Sequence, residues 1–128
     1  MAEMSNYLEN ALLNAVLRAG SYTSPSDVFV GLFTSDPTDA VTGTEVSGGA
    51  YTRKQVTFAA PVAGVATSDV DVAFDQATAT WGTITHLALF DAVTGGNMLF
   101  HTALDIDKLV ETGDIFTVRT GQLTVTLD

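Results

Sequence analysis

Apolar and polar positions alternate most densely between Trp81 and Phe100, in WGTITHLALFDAVTGGNMLF. A period of two places successive side chains on opposite faces of a strand. Two such runs flank a turn rich in Asp, Thr and Gly, so the stretch predicts a central hairpin. Pairing Phe90 with Asn97 gives a loop from Asp91 to Gly96 and sets His86 opposite His101. In that register Leu87, Leu89, Met98 and Phe100 form the core face. Ile84, His86, Ala88 and Phe90 share the other.

One segment has the helical period instead. Leu8, Ala11, Leu12, Ala15, Val16 and Ala19 form an i, i+3, i+4, i+7 stripe within Asn6–Gly20. Asn6 is the expected cap with Glu9 reaching back, and Arg18 and Gly20 mark the end. Leu13 and Leu17 widen the stripe beyond what one sheet needs. The helix therefore either covers the open end of a sandwich or meets another subunit.

The remaining pattern predicts strands. Val28–Phe33 is an apolar run, with Gly31 marking a bulge or a close backbone approach. Tyr51–Phe58 alternates, so Arg53 and Lys54 point to opposite faces, and one of them is expected to pair with an acid of the preceding loop. Val70, Val72 and Phe74 line another strand, after a small-residue loop at Ala59–Ser68. Asp105–Asp114 is expected to be a polar connection. Ile115–Arg119 and Leu123–Leu127 are expected to form a second hairpin. Seven to eight short strands after one helix predict an all-β fold, an antiparallel β-sandwich of jelly-roll or immunoglobulin-like type. The expectation is a single domain over 1–128, with an N-terminal amphipathic helix at 5–20, the sandwich at 28–128 and a long loop at 37–50.

That loop, PTDAVTGTEVSGGA, is the longest irregular stretch. Loops of this length are functional or mobile. It has three glycines but no P-loop pattern and no base, and Asp39 and Glu45 would repel an anion. The functional reading is a partner-binding arm, and deleting Thr38–Gly49 is expected to leave the domain folded.

Composition narrows the function. The 128 residues and 46% apolar content suit one domain with a real core. Fifteen acids against five bases give a net charge of −10, which argues against nucleic acid and favours a basic or apolar partner. There is no Cys. No apolar run approaches the ~20 residues that span a bilayer. Glu3 and Glu9 without an early base are the wrong charge for a secretory signal.

Candidate chemistry is sparse. Two facing imidazoles suit Zn or Cu, but sequence assigns His86 and His101 no third ligand, so no metal or cofactor is expected. Asp69, Asp71 and Asp75 lack the Gly and distal Glu of a calcium loop and read as a solvated strand face. There is no GxSxG elbow, and no enzyme activity is expected.

Four segments carry a resemblance: LENALLNAVLR, VFVGLFTSDPT, GTEVSGGAYTRKQVTF, and Trp81–Phe100 with the later Gly113–Asp114 turn. Together they resemble a family of small tailed-bacteriophage virion proteins, labelled virion structural or tail-fibre proteins. The most specific parts are the E-V-S-G-x-x-Y-x-R run at Glu45–Arg53 and the block from Trp81–Gly82 to Gly95–Gly96. The resemblance covers residues 5 to 127 and implies a short helix followed by an all-β domain in a virion, with other virion proteins as partners. The expected role is a capsid cement or decoration protein bound to the major capsid protein, because the chain is short and lacks any fibrous repeat or receptor-binding extension; a unit that binds only the assembled lattice would stabilise it. The alternative is a tail-associated fibre or adaptor protein. A carbohydrate- or ligand-binding module is the third reading, and the scattered Trp81, Tyr7, Tyr22 and Tyr51 give it no aromatic face. Self-association into a homo-oligomer is expected. The helix and long loop supply the candidate partner contacts: Leu13, Leu17, Thr38, Val41, Thr44, Glu45 and Val46.

Overall fold

Strands β6 (Gly82–Phe90) and β7 (Met98–Val110) form the central hairpin in the computed structural model, which describes residues 2–127. Its register differs from the expected one. Asp91 N–H donates to the Asn97 carbonyl at 3.1 Å, and Asn97 N–H donates back to Asp91 Oδ1 at 2.7 Å. That reciprocal closure makes Asp91 and Asn97 the base of the turn, so Phe90 pairs with Met98. Leu99 is then bulged, its carbonyl accepting from Ser5 N–H. Beyond the bulge Ala88 faces His101 and His86 faces Ala103. The two histidines are diagonal neighbours, not a facing pair. The bulge also turns Met98 away from Leu87 and Leu89, into a cluster with Phe33, Ala88 and Phe90 on the opposite face.

A second irregularity lies further along the hairpin. β7 advances from Ala103 to Lys108 while β6 advances only from Ile84 to His86. The extra β7 residues protrude from the ladder. The same break turns Ile84 into the main core with Leu87 and Leu89, instead of onto the His86 face.

The hairpin is the middle of a five-stranded antiparallel sheet ordered β1-β7-β6-β2-β3. Its other strands are β1 (Glu3–Met4), β2 (Val28–Phe33) and β3 (Lys54–Val56). Facing it are two ribbons. β4 (Val65–Thr67) pairs with β9 (Thr124–Thr126), and β5 (Val72–Ala73) pairs with β8 (Thr117–Val118). The expected second hairpin is therefore absent. The turn at 119–122 carries the chain from β8 to β9, but each strand pairs with a different partner. The expected loop at 59–68 contains β4, which starts from a tight turn at Ala63 (φ 52°) and Gly64 (φ 79°). The expected connection at 105–114 is half strand, since β7 runs to Val110 before turning at Glu111–Asp114.

Val30, Leu32, Ile84, Leu87 and Leu89 pack between the layers against Val72, Phe74, Val118, Leu123 and Val125. Each fully buried side chain of this size contributes about 1.5–3 kcal/mol. Trp81 meets Tyr51 and Phe74 edge-on, at 5.5 and 6.4 Å between ring centroids.

The helix α1 (Asn6–Leu17) ends three residues before its expected stop and is capped by Ser5, not Asn6. Ser5 Oγ accepts from Leu8 N–H and donates to the Met98 carbonyl, so one buried hydroxyl serves both cap and sheet. At the other end Gly20 N–H returns to the Asn14 carbonyl, with Ala19 taking the left-handed conformation (φ 54°). Of the predicted stripe Leu8 is buried, Ala11, Leu12 and Ala15 are half-buried, and Val16 and Ala19 are exposed. The helix is thus held mainly at its first turn. Ser5→Ala is expected to cost about 1–2 kcal/mol, since it removes a cap and leaves a buried carbonyl without its partner. Thermal unfolding measures this, and a shift under one degree would mean that the cap is not what anchors α1.

Candidate functional site

The face of the sheet turned away from the ribbons is crossed by the row Gly31, Ala88, His101 and Glu3, on four adjacent strands. Gly31 and Ala88 are small, which leaves a trough. Residues 35–50 cross it as a strap. A Cβ on Gly31 would stand 2.9 Å from Glu45 Oε2 and 3.0 Å from the Phe90 ring, so glycine is required by what lies above it. The expected close approach at Gly31 is made by side chains, not by backbone.

Three ties hold the strap. The first is ionic. Glu45 receives Arg53 Nε and Nη2 on its two oxygens, each at 2.8 Å. Arg53 is 8% exposed, lies 3.5 Å over the Phe90 ring, and donates through Nη1 to the carbonyls of Ala92 and Gly95. This is the expected pairing with an acid of the loop, and it is bidentate and part-buried. Tyr51 completes the group: its hydroxyl accepts from Leu32 N–H at 3.0 Å and donates to Glu45 at 2.6 Å. Burial first, and then the bond to Glu45, push the phenol well above its ordinary range, so it remains a donor.

The second tie is at His101, buried on β7. Its Nε2 lies 2.7 Å from Asp39 Oδ1, with Glu3 at 3.7 Å. Its Nδ1 lies 3.9 Å from Asp36, whose same oxygen is 3.9 Å from His86. Glu3, Asp39 and His101 bring ligand-type atoms within 4.8 Å of one another. His101 was legible as a candidate ligand but its acidic neighbours were not, because strap, β1 and β7 meet only in the fold. In the chain the group joins those three elements, and Asn6 N–H adds a bond to the Asp39 carbonyl. The third tie is backbone. Thr34 N–H donates to Thr44, Val46 N–H donates to Leu32, and the Gly49 carbonyl receives both Thr78 N–H and the Trp81 indole at 2.8 Å.

These ties divide the residues expected to contact a partner. Val46 is buried in the core and the Glu45 carboxylate is occupied by Arg53 and Tyr51, so both serve the domain's own packing. Thr44 fastens the strap through its backbone while its side chain faces solvent. Thr38 and Val41 lie at the exposed tip, both in the left-handed region at φ 55° and 59°. That conformation is strained for β-branched residues. Leu13 and Leu17 are exposed on α1.

The acids at Asp69, Asp71 and Asp75 are spent separately. Asp69 accepts from Thr57, Asp75 pairs with Lys54 at 3.0 Å, and Thr120 donates twice to Asp71, which holds that carboxyl below its usual range. Among the described residues no helix is long and apolar enough to cross a membrane.

No curated protein sequence matches the chain. A family model does, over residues 3–126, and its span takes in β1, the helix, the strap and both layers. The chain accordingly belongs to the Gp80 family, described as podophage GP4 fiber I protein gp80, and is a phage virion structural protein.

Proposed function

We propose that this chain is a non-enzymatic, tail-associated fibre component of the virion, in contact with other virion proteins. The family match over residues 3–126 carries the reading. Its fibre description supports the tail alternative better than the capsid cement role expected from the chain's small size. The geometry is compatible with it. A strap tied at three places makes a stiff unit, and the exposed strap tip and the outer stripe of α1 are left for neighbours. The partner contacts are accordingly Thr38 and Val41 at the tip, the Thr44 side chain beside it, and Leu13 and Leu17 on the helix.

Electron microscopy of particles carrying a tagged copy tests the placement. Label is expected at the tail vertex, and particles lacking the chain are expected to keep heat-resistant shells while losing adsorption to cells. Label spread over the shell, together with fragile capsids in the deletion, would restore the cement role.

A further inference from the structure

Two exposed apolar surfaces stand out among the described residues. One is convex: Leu13, Val16 and Leu17 stand out on α1, Val16 and Leu17 at 77% and 74% exposure, with Glu9 one turn earlier on the same stripe. The other is concave. The protruding part of β7 and the segment running through β8 to β9 enclose an open groove of about 1050 Å³. Its floor includes Leu87 and Leu123, and its walls present Ile106, Leu109 and Ile115, all more than half exposed. Exposed apolar surface of this kind marks a contact site.

We propose that the groove of one copy receives the α1 stripe of a second copy, joining copies head to tail. The proposal rests on the fibre reading for its purpose, but not for its physical basis. The two surfaces belong to opposite ends of β7. Ser5 fixes the start of α1 to Met98 and Leu99, whereas the groove wall is built from Leu104 to Val110. Self-pairing of like surfaces does not cover both: two grooves cannot fill each other, and two stripes would leave both grooves open. A convex-to-concave contact uses both, and such a heterologous contact builds a ring or a filament.

Charge agrees. At a net charge of −10 copies repel, so association needs local complementarity. Of the five bases, Arg53 and Lys54 pair with Glu45 and Asp75. Among the described residues the other three make no ion pair within 4 Å, and all three flank these surfaces. Arg18 follows the stripe, and Lys108 and Arg119 line the groove. Asp105 and Asp114 in the groove suit Arg18, and its bases suit Glu9.

Sedimentation of the purified chain from micromolar to millimolar concentration, with circular dichroism as the folding control, tests the contact. The wild type is expected to gain mass with concentration. Leu17→Glu and Ile106→Glu, both at exposed positions, are each expected to weaken association at least tenfold. An equimolar mixture of the two variants retains one intact groove and one intact stripe, so it is expected to form pairs and stop there. The proposal is overturned by a wild type that stays monomeric throughout, by either variant assembling as the wild type does, or by variants that do not pair with each other. Microscopy of the particle reads the fibre placement separately, so either idea can fail alone.

Discussion

Replacing Arg53 by Met is expected to destabilise the domain by about 3 kcal/mol, the low end of the range for breaking a buried ion pair from one side, because the Glu45 carboxylate it strands is 24% exposed. At this size each kcal/mol lowers the melting temperature by roughly 3–5 °C, so the loss is about 10–15 °C. The magnitude follows from what the side chain touches. One guanidinium holds both Glu45 oxygens, two carbonyls of the β6–β7 turn and the face of Phe90. Glu45→Ala is expected to fall in the same range for the opposite reason, because it strands a cation that is 8% exposed. The double variant is the sharper test. Its second change removes the charge stranded by the first, so its cost is expected to approach that of the worse single variant. Denaturant unfolding of all three measures this. Costs that simply add would show that Arg53 and Glu45 act independently and that the strap is held elsewhere.

The ion pair explains the most specific part of the family resemblance in physical terms. In the run from Glu45 to Arg53, Glu45, Val46, Gly49, Tyr51 and Arg53 each fasten the strap through a different contact. Sequence made part of this legible, since Arg53 and Lys54 had to face opposite ways and an acid lay nearby. It could not show that Arg53 would be buried, because burial is supplied by the β6–β7 turn nearly forty residues away. The strands whose side chains alternate were legible for the same local reason, and Val28–Phe33 has the bounds its pattern implied. The register was not. It depends on how Asp91 and Asn97 close the turn and on Ser5 taking the carbonyl of bulged Leu99, neither of which alternation encodes. The partners of β8 and β9 were hidden likewise. Adjacent strands with a turn between them look like a hairpin, and only the core decides that each instead completes a ribbon with β5 or β4.

The strap itself gives the last expected result, and it reverses the reading of residues 37–50 as a detachable arm. Deleting Thr38–Gly49 is expected to leave the chain without a cooperative fold. The deletion removes Val46 from the core, worth about 1.5–3 kcal/mol, and breaks the Arg53–Glu45 pair from one side. It also takes the Gly49 carbonyl from the Trp81 indole, and a buried donor left unpaired costs about 1–3 kcal/mol. It uncovers the outer-face cluster of Phe33, Ala88, Phe90 and Met98 and removes Asp39 from His101. Losses of this size approach the whole of the about 5–15 kcal/mol that holds a domain together. The exposed tip behaves differently. Replacing Val41 by glycine removes none of these contacts and relieves its left-handed strain, so that variant is expected to melt at or above the wild-type temperature. Circular dichroism melts and limited proteolysis of both variants decide the matter. A deletion that still unfolds cooperatively near the wild-type temperature would make the strap an appendage after all. A tip variant that melts far lower would place structural weight on residues that the geometry leaves free to meet a partner.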